Sequence, residues 1–347
     1  MPLNRTLIAP TFHPPLEQAL RHKLARRTEL GGGLGMLEPL AVRLGLIRNS
    51  LKPRLHDPQL VVFSADHGLA VDGLLPPGGP TTAQQVAQLL CGQVPLGALA
   101  SLHGWQMTVV DSGLADVPPR HPRLLARKIA HGTRNSRVGA AMSFEQAQAA
   151  IRAGMEIADA LPGNVLACAG HGVGSEESAM LLLALLAGLP PRELAGGTPG
   201  MDPQFVSHRL MLLDSVLARH PGVHDPIEAL AAVGGHEIAM MVGAILIAAG
   251  RRSLVVVDGL PACAALWIAS RIASPVVDYC AFARSHARPG LARVLRHFQA
   301  TALLDLGMDT LDGTGAVLAW PLVRSAAALL TEVAEGEEPG PTHPTPL

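Results

Sequence analysis

The chain has 347 residues, 48% hydrophobic and only 16% charged, which is enough apolar mass for a sizeable core in one large domain or two modest ones. Twenty-seven Lys and Arg balance 28 Asp and Glu, and no basic run is interleaved with aromatics; this excludes the electrostatic footprint of a nucleic-acid binder and points to a small-molecule ligand. Apolar runs such as 179–189 and 238–249 fall short of the roughly 20 residues a spanning helix needs, and residues 1–10 lack a signal peptide's apolar stretch, so we expect no membrane segment and a cytoplasmic location.

Taken in chain order, residues 16–47 read as helical and contain no strand. Short apolar runs bounded by glycine or aspartate follow at 60–63, 107–110, 165–168 and 254–257, the pattern of buried strands. Between them lie Ala- and Leu-rich stretches that predict helices. One spans 82–103 after the Gly/Pro loop 75–80; another spans 143–160, with Ser143 as N-cap and Glu145 beside it; two more span 176–189 and 234–249. This alternation predicts an α/β fold, a Rossmann-like parallel sheet with helices on both faces. Residues 315–332 are again helical by pattern. The last stretch, 335–347, holds four prolines, two glycines and three acids, and is expected to be a disordered tail.

Ligands of such sheets bind beyond the carboxyl ends of the strands. The turns that follow the predicted strands, at 64–68, 111–113, 169–174 and 258–259, should therefore line one pocket. Four widely spaced cysteines without C-x-x-C spacing indicate buried thiols, neither a zinc site nor a disulfide framework. Fifteen histidines include no H-E-x-x-H and no pair beside a carboxylate at ligand spacing, so no metal is assigned.

Six blocks occur in fixed order: VVFSADHG at 61–68, VVDSG at 109–113, HGTRN at 131–135, VGGHEIA at 233–239, VVVDG at 255–259 and LLDLGMDTLDGTGA at 303–316. Together they resemble nicotinate-nucleotide:dimethylbenzimidazole phosphoribosyltransferase, from about Gly31 to about Val333. The resemblance implies a large α/β domain over 55–310 that carries the pocket. It also implies a small helical domain built from 1–54 and 311–334, and a homodimer. The implied reaction moves the 5-phosphoribosyl group of nicotinate mononucleotide to a benzimidazole-type base, giving α-ribazole 5′-phosphate and nicotinate for cobalamin biosynthesis. The leaving pyridinium becomes neutral as its bond breaks. What remains for the protein is to place the base, anchor the phosphate and remove a proton from the second ring nitrogen, and no cofactor is needed.

In the family a glutamate takes that proton, in the segment L-L-D-L-G-x-x-x-G-E-G-S-G-A; the matching residue here is Asp312, one methylene shorter and preceded by Leu311. Asp312 also reads as a cap for the helix that follows, and both readings stand at this point. The family's phosphate loop, G-E-M-G-I-G-N-T-T, corresponds to AGHGVGSEE at 169–177. Gly172, Gly174 and Ser175 keep the opening for a nest of amides at a helix start. Glu176 and Glu177 replace hydroxyls, either opposing a phosphate or stabilising the first turn through the helix dipole. His171 stands where the family has methionine; it is the ionisable candidate in the core of the loop for a second catalytic group moving a proton near neutrality, and also reads as a structural histidine. Gly170 stands where the family has a second glutamate.

Arg209 matches a phosphate-binding lysine, and reads equally as a solvated helix arginine. On the benzimidazole side LLPPGGPTTAQQV at 74–86 keeps Thr82 and Gln84, but has Leu75 for a serine and Pro77 for an aromatic, which suggests a different ring. Asp258, in the retained Asp-Gly pair, completes the expected substrate contacts. A rival reading is a catalytically silent homologue that binds a nucleotide or precursor, or that pairs as a heteromer with an active paralogue.

Overall fold

The computed structural model describes residues 8–27, 33–74, 78–118, 120–195, 202–285 and 289–334. The expected tail at 335–347 lies outside the described residues. Six strands form one parallel sheet: β1 (Gln59–Ala65), β2 (Gln106–Gly113), β3 (Leu124–Ala126), β4 (Val165–His171), β5 (Leu254–Val257) and β6 (Cys280–Phe282). Their order is β3-β2-β1-β4-β5-β6. That is the order of doubly wound dinucleotide-binding sheets, and the direction of winding reverses between β1 and β4. Every residue of β1 and β5 is buried, as strands covered on both faces must be.

Thirteen helices are described: α1 (Pro14–Ala25), α2 (Leu37–Arg48), α3 (Thr82–Leu90), α4 (Pro95–Leu102), α5 (Phe144–Ala160), α6 (Ser175–Ala187), α7 (Pro191–Leu194), α8 (Pro203–Arg219), α9 (Pro226–Val233), α10 (His236–Gly250), α11 (Leu260–Ile272), α12 (Pro289–His297) and α13 (Thr314–Thr331). The helix expected over 82–103 is interrupted, because the chain turns through Gly92, at φ +75°, before Pro95 starts α4. α5 begins as read, with Ser143 and Gln146 forming a capping box that satisfies two orphan backbone donors.

α10 is buried almost all round and lies across β1, β2, β4 and β5. It meets α5 at a crossing set by two glycines: a Cβ at Gly154 would stand 1.9 Å from the Met240 carbonyl oxygen, and one at Gly243 would stand 1.9 Å from that of Ile151. α1, α2 and α13, from the two chain ends, pack on one another, and α13 also packs on α4, with Trp105 and Trp320 edge to face at 5.6 Å. One hydrophobic core runs through these helices and the sheet.

Two described stretches, Thr82–Leu102 and Thr314–Thr331, pass for membrane spans by length and composition. The first is the broken pair α3 and α4, and more than half of the second is buried within the fold.

The glycine crossing yields a stability prediction. Gly243→Val forces α10 and α5 apart and should cost at least about 3 kcal/mol, read from urea denaturation. An unchanged midpoint would contradict the close approach.

Candidate active site

A cleft open to solvent lies beyond β4 and β5, next to the reversal point. Four stretches line it: Gly170–Gly172 with Ser175 and Glu176 from the β4–α6 turn, Gly259–Pro261 from the β5–α11 turn, Leu194 and Leu291 as an apolar side, and Asp309–Asp312 from the segment leading into α13. Two of the acids and bases expected from sequence, Asp312 and His171, therefore share one pocket.

Asp312 is 15% exposed and lies over Gly259. A Cβ built on Gly259, which has φ +87°, would stand 1.9 Å from Asp312 Oδ1. Only glycine leaves room for the carboxylate there and tolerates that backbone. Asp312 does not cap α13. Gly313 occupies the N-cap position at φ +89°, and the Gly315 N–H donates to Asp258 Oδ2 at 2.8 Å. The cap comes from the end of β5, and Asp312 faces the cleft.

Asp258 itself is buried behind the pocket with both oxygens occupied, since its Oδ1 accepts from Arg284 Nε at 2.6 Å. Arg284 is a buried cation that sequence reading missed. It follows β6, a strand of three residues too short to register as a pattern; the available signal was an arginine closing an apolar run. Its Nη1 donates to Thr310 Oγ1 at 3.0 Å, and its Nη2 donates to the Thr310 carbonyl at 3.1 Å and lies 3.4 Å from Asp312 Oδ1.

On the other wall, the 172–175 turn is shaped by close backbone approach. Gly172 has φ +145°, and its Cβ would stand 1.9 Å from the Ala65 carbonyl oxygen; Gly174 has φ +98° and sits against His67. The Val173 N–H donates to Thr82 Oγ1 at 3.1 Å, so Thr82 braces this turn from α3. Ser175 Oγ donates to Glu237 Oε1 at 2.9 Å, and His67 Nε2 meets the same oxygen at 2.9 Å. His67 and Glu237 form a buried pair. Desolvation opposes the charge on both groups, yet the attraction and hydrogen bond between them raise the His67 pKa and lower that of Glu237.

Arg209 is buried on α8 and is not a solvated helix arginine. It donates through Nη2 to Glu176 at 2.8 Å and through Nε to Glu177. Gln84 is exposed, with its side chain in the capping box of α3. Arg209, Thr82, Gln84 and Asp258 thus stand around or behind the cleft without lining it, whereas Gly172 and Ser175 line it and Gly174 lies between them. Leu75 and Pro77 lie outside the described residues.

His171 Nε2 is shielded and has no hydrogen-bond partner among the described residues, although the ring lines the cleft. Burial pushes the imidazole down to about 4, against the opposing pull of Asp66 and Glu237. It is neutral at pH 7 and offers one unsatisfied polar atom.

A phosphoribosyltransferase family profile matches residues 9–340. Two nicotinate-nucleotide–dimethylbenzimidazole phosphoribosyltransferases are close in sequence. The one from Variovorax paradoxus is 41% identical over 325 residues, covering 94% of this chain and 93% of that protein; the one from Cupriavidus taiwanensis is 40% identical over 328 residues, covering 92% and 95%. The chain belongs to this family. The crystal structure of the family member from Thermus thermophilus superposes with a TM-score of 0.85 at 33% identity, covering 93% of this chain and 97% of that one. Family membership accounts for the sheet order and the ordered blocks.

The buried imidazoles give a pH prediction. His171 and His236 are both held down to about 4, largely by burial, so between pH 6.5 and about 4 the unfolded chain binds protons that the folded chain refuses. Stability should fall as pH drops through that window, by on the order of 1–3 kcal/mol for each group. His67 acts in the opposite sense, because its raised pKa adds stability that is full below 6.5 and is lost as pH rises through its folded value. The lowered Glu237 pKa adds stability that is present above 4.5 and lost below it. Urea unfolding of wild type and His171→Gln at pH 6.5, 5.5 and 4.5 checks the account, which expects a shallower loss in the variant. Equal slopes would show that His171 is not held neutral.

Proposed function

We propose that this chain transfers the 5-phosphoribosyl group of nicotinate mononucleotide to a benzimidazole-type base, with Asp312 as the general base. The observation that carries the assignment is the position of Asp312, held over Gly259 in the cleft beyond β4 and β5; the sequence resemblance matches it to the family's catalytic acid. A ring nitrogen of the base attacks C1′ of the donor, the bond to nicotinate breaks, and the departing pyridine keeps that bond's electron pair and is neutral at its nitrogen. The proton on the second ring nitrogen passes to Asp312 directly or through one water, which requires an approach of about 2.6–3.2 Å.

The other expected residues take roles that fit their placement. The turn at Gly172, Gly174 and Ser175 and the first amides of α6 receive the phosphate. Glu176 and Glu177 are drawn onto Arg209, so Arg209 serves the phosphate side by holding these two carboxylates. His171, neutral, donates or accepts one hydrogen bond to a substrate in the cleft. Thr82 braces the phosphate turn, and Asp258 holds the start of α13. Gln84 belongs to the approach for the incoming base, as the family pattern implies. We further propose that α1, α2 and α13 act as the small helical unit beside the sheet domain, and that the enzyme works in the cytoplasm as a homodimer, both from the family resemblance.

The test is nicotinate release from nicotinate mononucleotide with a panel of benzimidazole, purine and phenolic bases, with products separated by chromatography. Asp312→Asn should lower kcat by roughly 10²–10⁴-fold while leaving the folded state intact. A variant as fast as wild type would remove Asp312 from the mechanism.

A further inference from the structure

The acid in this cleft is one methylene shorter than its family counterpart, so its reach depends on how its own segment is held. Several ties among the described residues hold that segment. Residues 303 and 304 run beside the end of β6, with the Leu303 N–H donating to the Phe282 carbonyl and the Leu304 N–H to that of Ala283, both near 3 Å. At the far end, the Gly315 N–H is fixed by Asp258. Between these ties, Arg284 spans the gap from below. Its Nε is spent on Asp258, while its two terminal nitrogens reach the Thr310 hydroxyl, the Thr310 carbonyl, the Met308 carbonyl at 3.4 Å and Asp312 Oδ1.

A guanidinium carries five N–H donors in a rigid plane, so one side chain can fix both the backbone of a loop and the carboxylate borne two residues further on. A lysine cannot, because its point charge has no such fork. Gly259 completes the cradle, since its missing Cβ leaves the space into which the carboxylate is drawn.

We propose that Arg284 is a positioning residue for catalysis: it places the Asp309–Asp312 wall and turns the Asp312 carboxylate so that the shorter acid reaches the incoming base. The inference rests on the reading of Asp312 as general base, and it acts through that residue alone. Arg284 is enclosed behind the wall and does not line the cleft.

A double-mutant cycle tests this, because a residue that acts only through Asp312 has nothing left to do once Asp312 is disabled. Arg284→Lys keeps a buried cation against Asp258 and loses the fork. It should lower kcat about 10–100-fold, the cost of a misplaced catalytic group, with KM for both substrates within about threefold of wild type. In the Asp312→Asn background the same change should alter the residual kcat by less than about twofold. Thr310→Val removes one anchor with little change of shape, keeps every buried charge, and should show the same pattern at about 3–10-fold. It carries the test if Arg284→Lys does not fold.

Equal kcat losses in the wild-type and Asp312→Asn backgrounds would overturn the proposal and leave Arg284 a structural residue. So would a rise in KM that follows a drop in melting temperature. Asp312→Asn with wild-type kcat is a different result. It would sink the base assignment and the positioning role with it, whereas the first two outcomes leave the base assignment standing.

Discussion

A single buried ion pair, Arg284 with Asp258, joins three pieces of chain that lie far apart in sequence: the end of β5, the end of β6 and the start of α13. Removing one partner of such a pair strands a charge in the interior, typically at a cost of about 3–5 kcal/mol. Here the cation is satisfied on every side, by a carboxylate, a hydroxyl and backbone carbonyls, which is the condition under which a buried charge is tolerated. The wall that carries Asp312 has no regular secondary structure of its own, and this pair and the space above Gly259 help to shape it. Geometry at the cleft is thus set in part from behind it, by groups that do not line it.

The opposite wall follows the same principle with different chemistry. His67 after β1 and Ser175 at the start of α6 converge on one carboxylate oxygen of Glu237, at the start of α10, beneath the 172–175 turn. Beside them Arg209 reaches in from α8 and gathers Glu176 and Glu177. Two adjacent glutamates at a proposed anion site look self-defeating when read as isolated charges. Against a buried arginine they form a compact acid–base–acid cluster, and Glu177 is turned into the protein. Glu176 keeps about a third of its side-chain surface exposed at the cleft and sets part of its polarity.

The fold was legible because buried parallel strands are written as continuous apolar runs, and because the glycine and aspartate blocks after them fall in family order. Strand ends, hence the cleft, were legible for the same reason. The short edge strands β3 and β6 were not, since three residues carry no period. Without β6, the role of Arg284 had no place in the reading. Asp258 was read as a ligand contact because an aspartate after a strand points toward the pocket by topology; whether it faces ligand or helix depends on α13, which lies far along the chain. Arg209 and the two glutamates were each visible, but their pairing across α6 and α8 is a tertiary contact that no local spacing encodes. His171 was recognised as ionisable, and only its burial reveals that it stays neutral.

The central claim, that Asp312 takes the proton from a base seated in this cleft, is tested most directly by a crystal structure of the protein with dimethylbenzimidazole and nicotinate mononucleotide. The account predicts a ring nitrogen of the base within about 2.6–3.2 Å of an Asp312 carboxylate oxygen, or one ordered water between them, with the phosphate at the Gly172–Ser175 turn. A base bound elsewhere, or seated with both ring nitrogens turned away from Asp312, would contradict it.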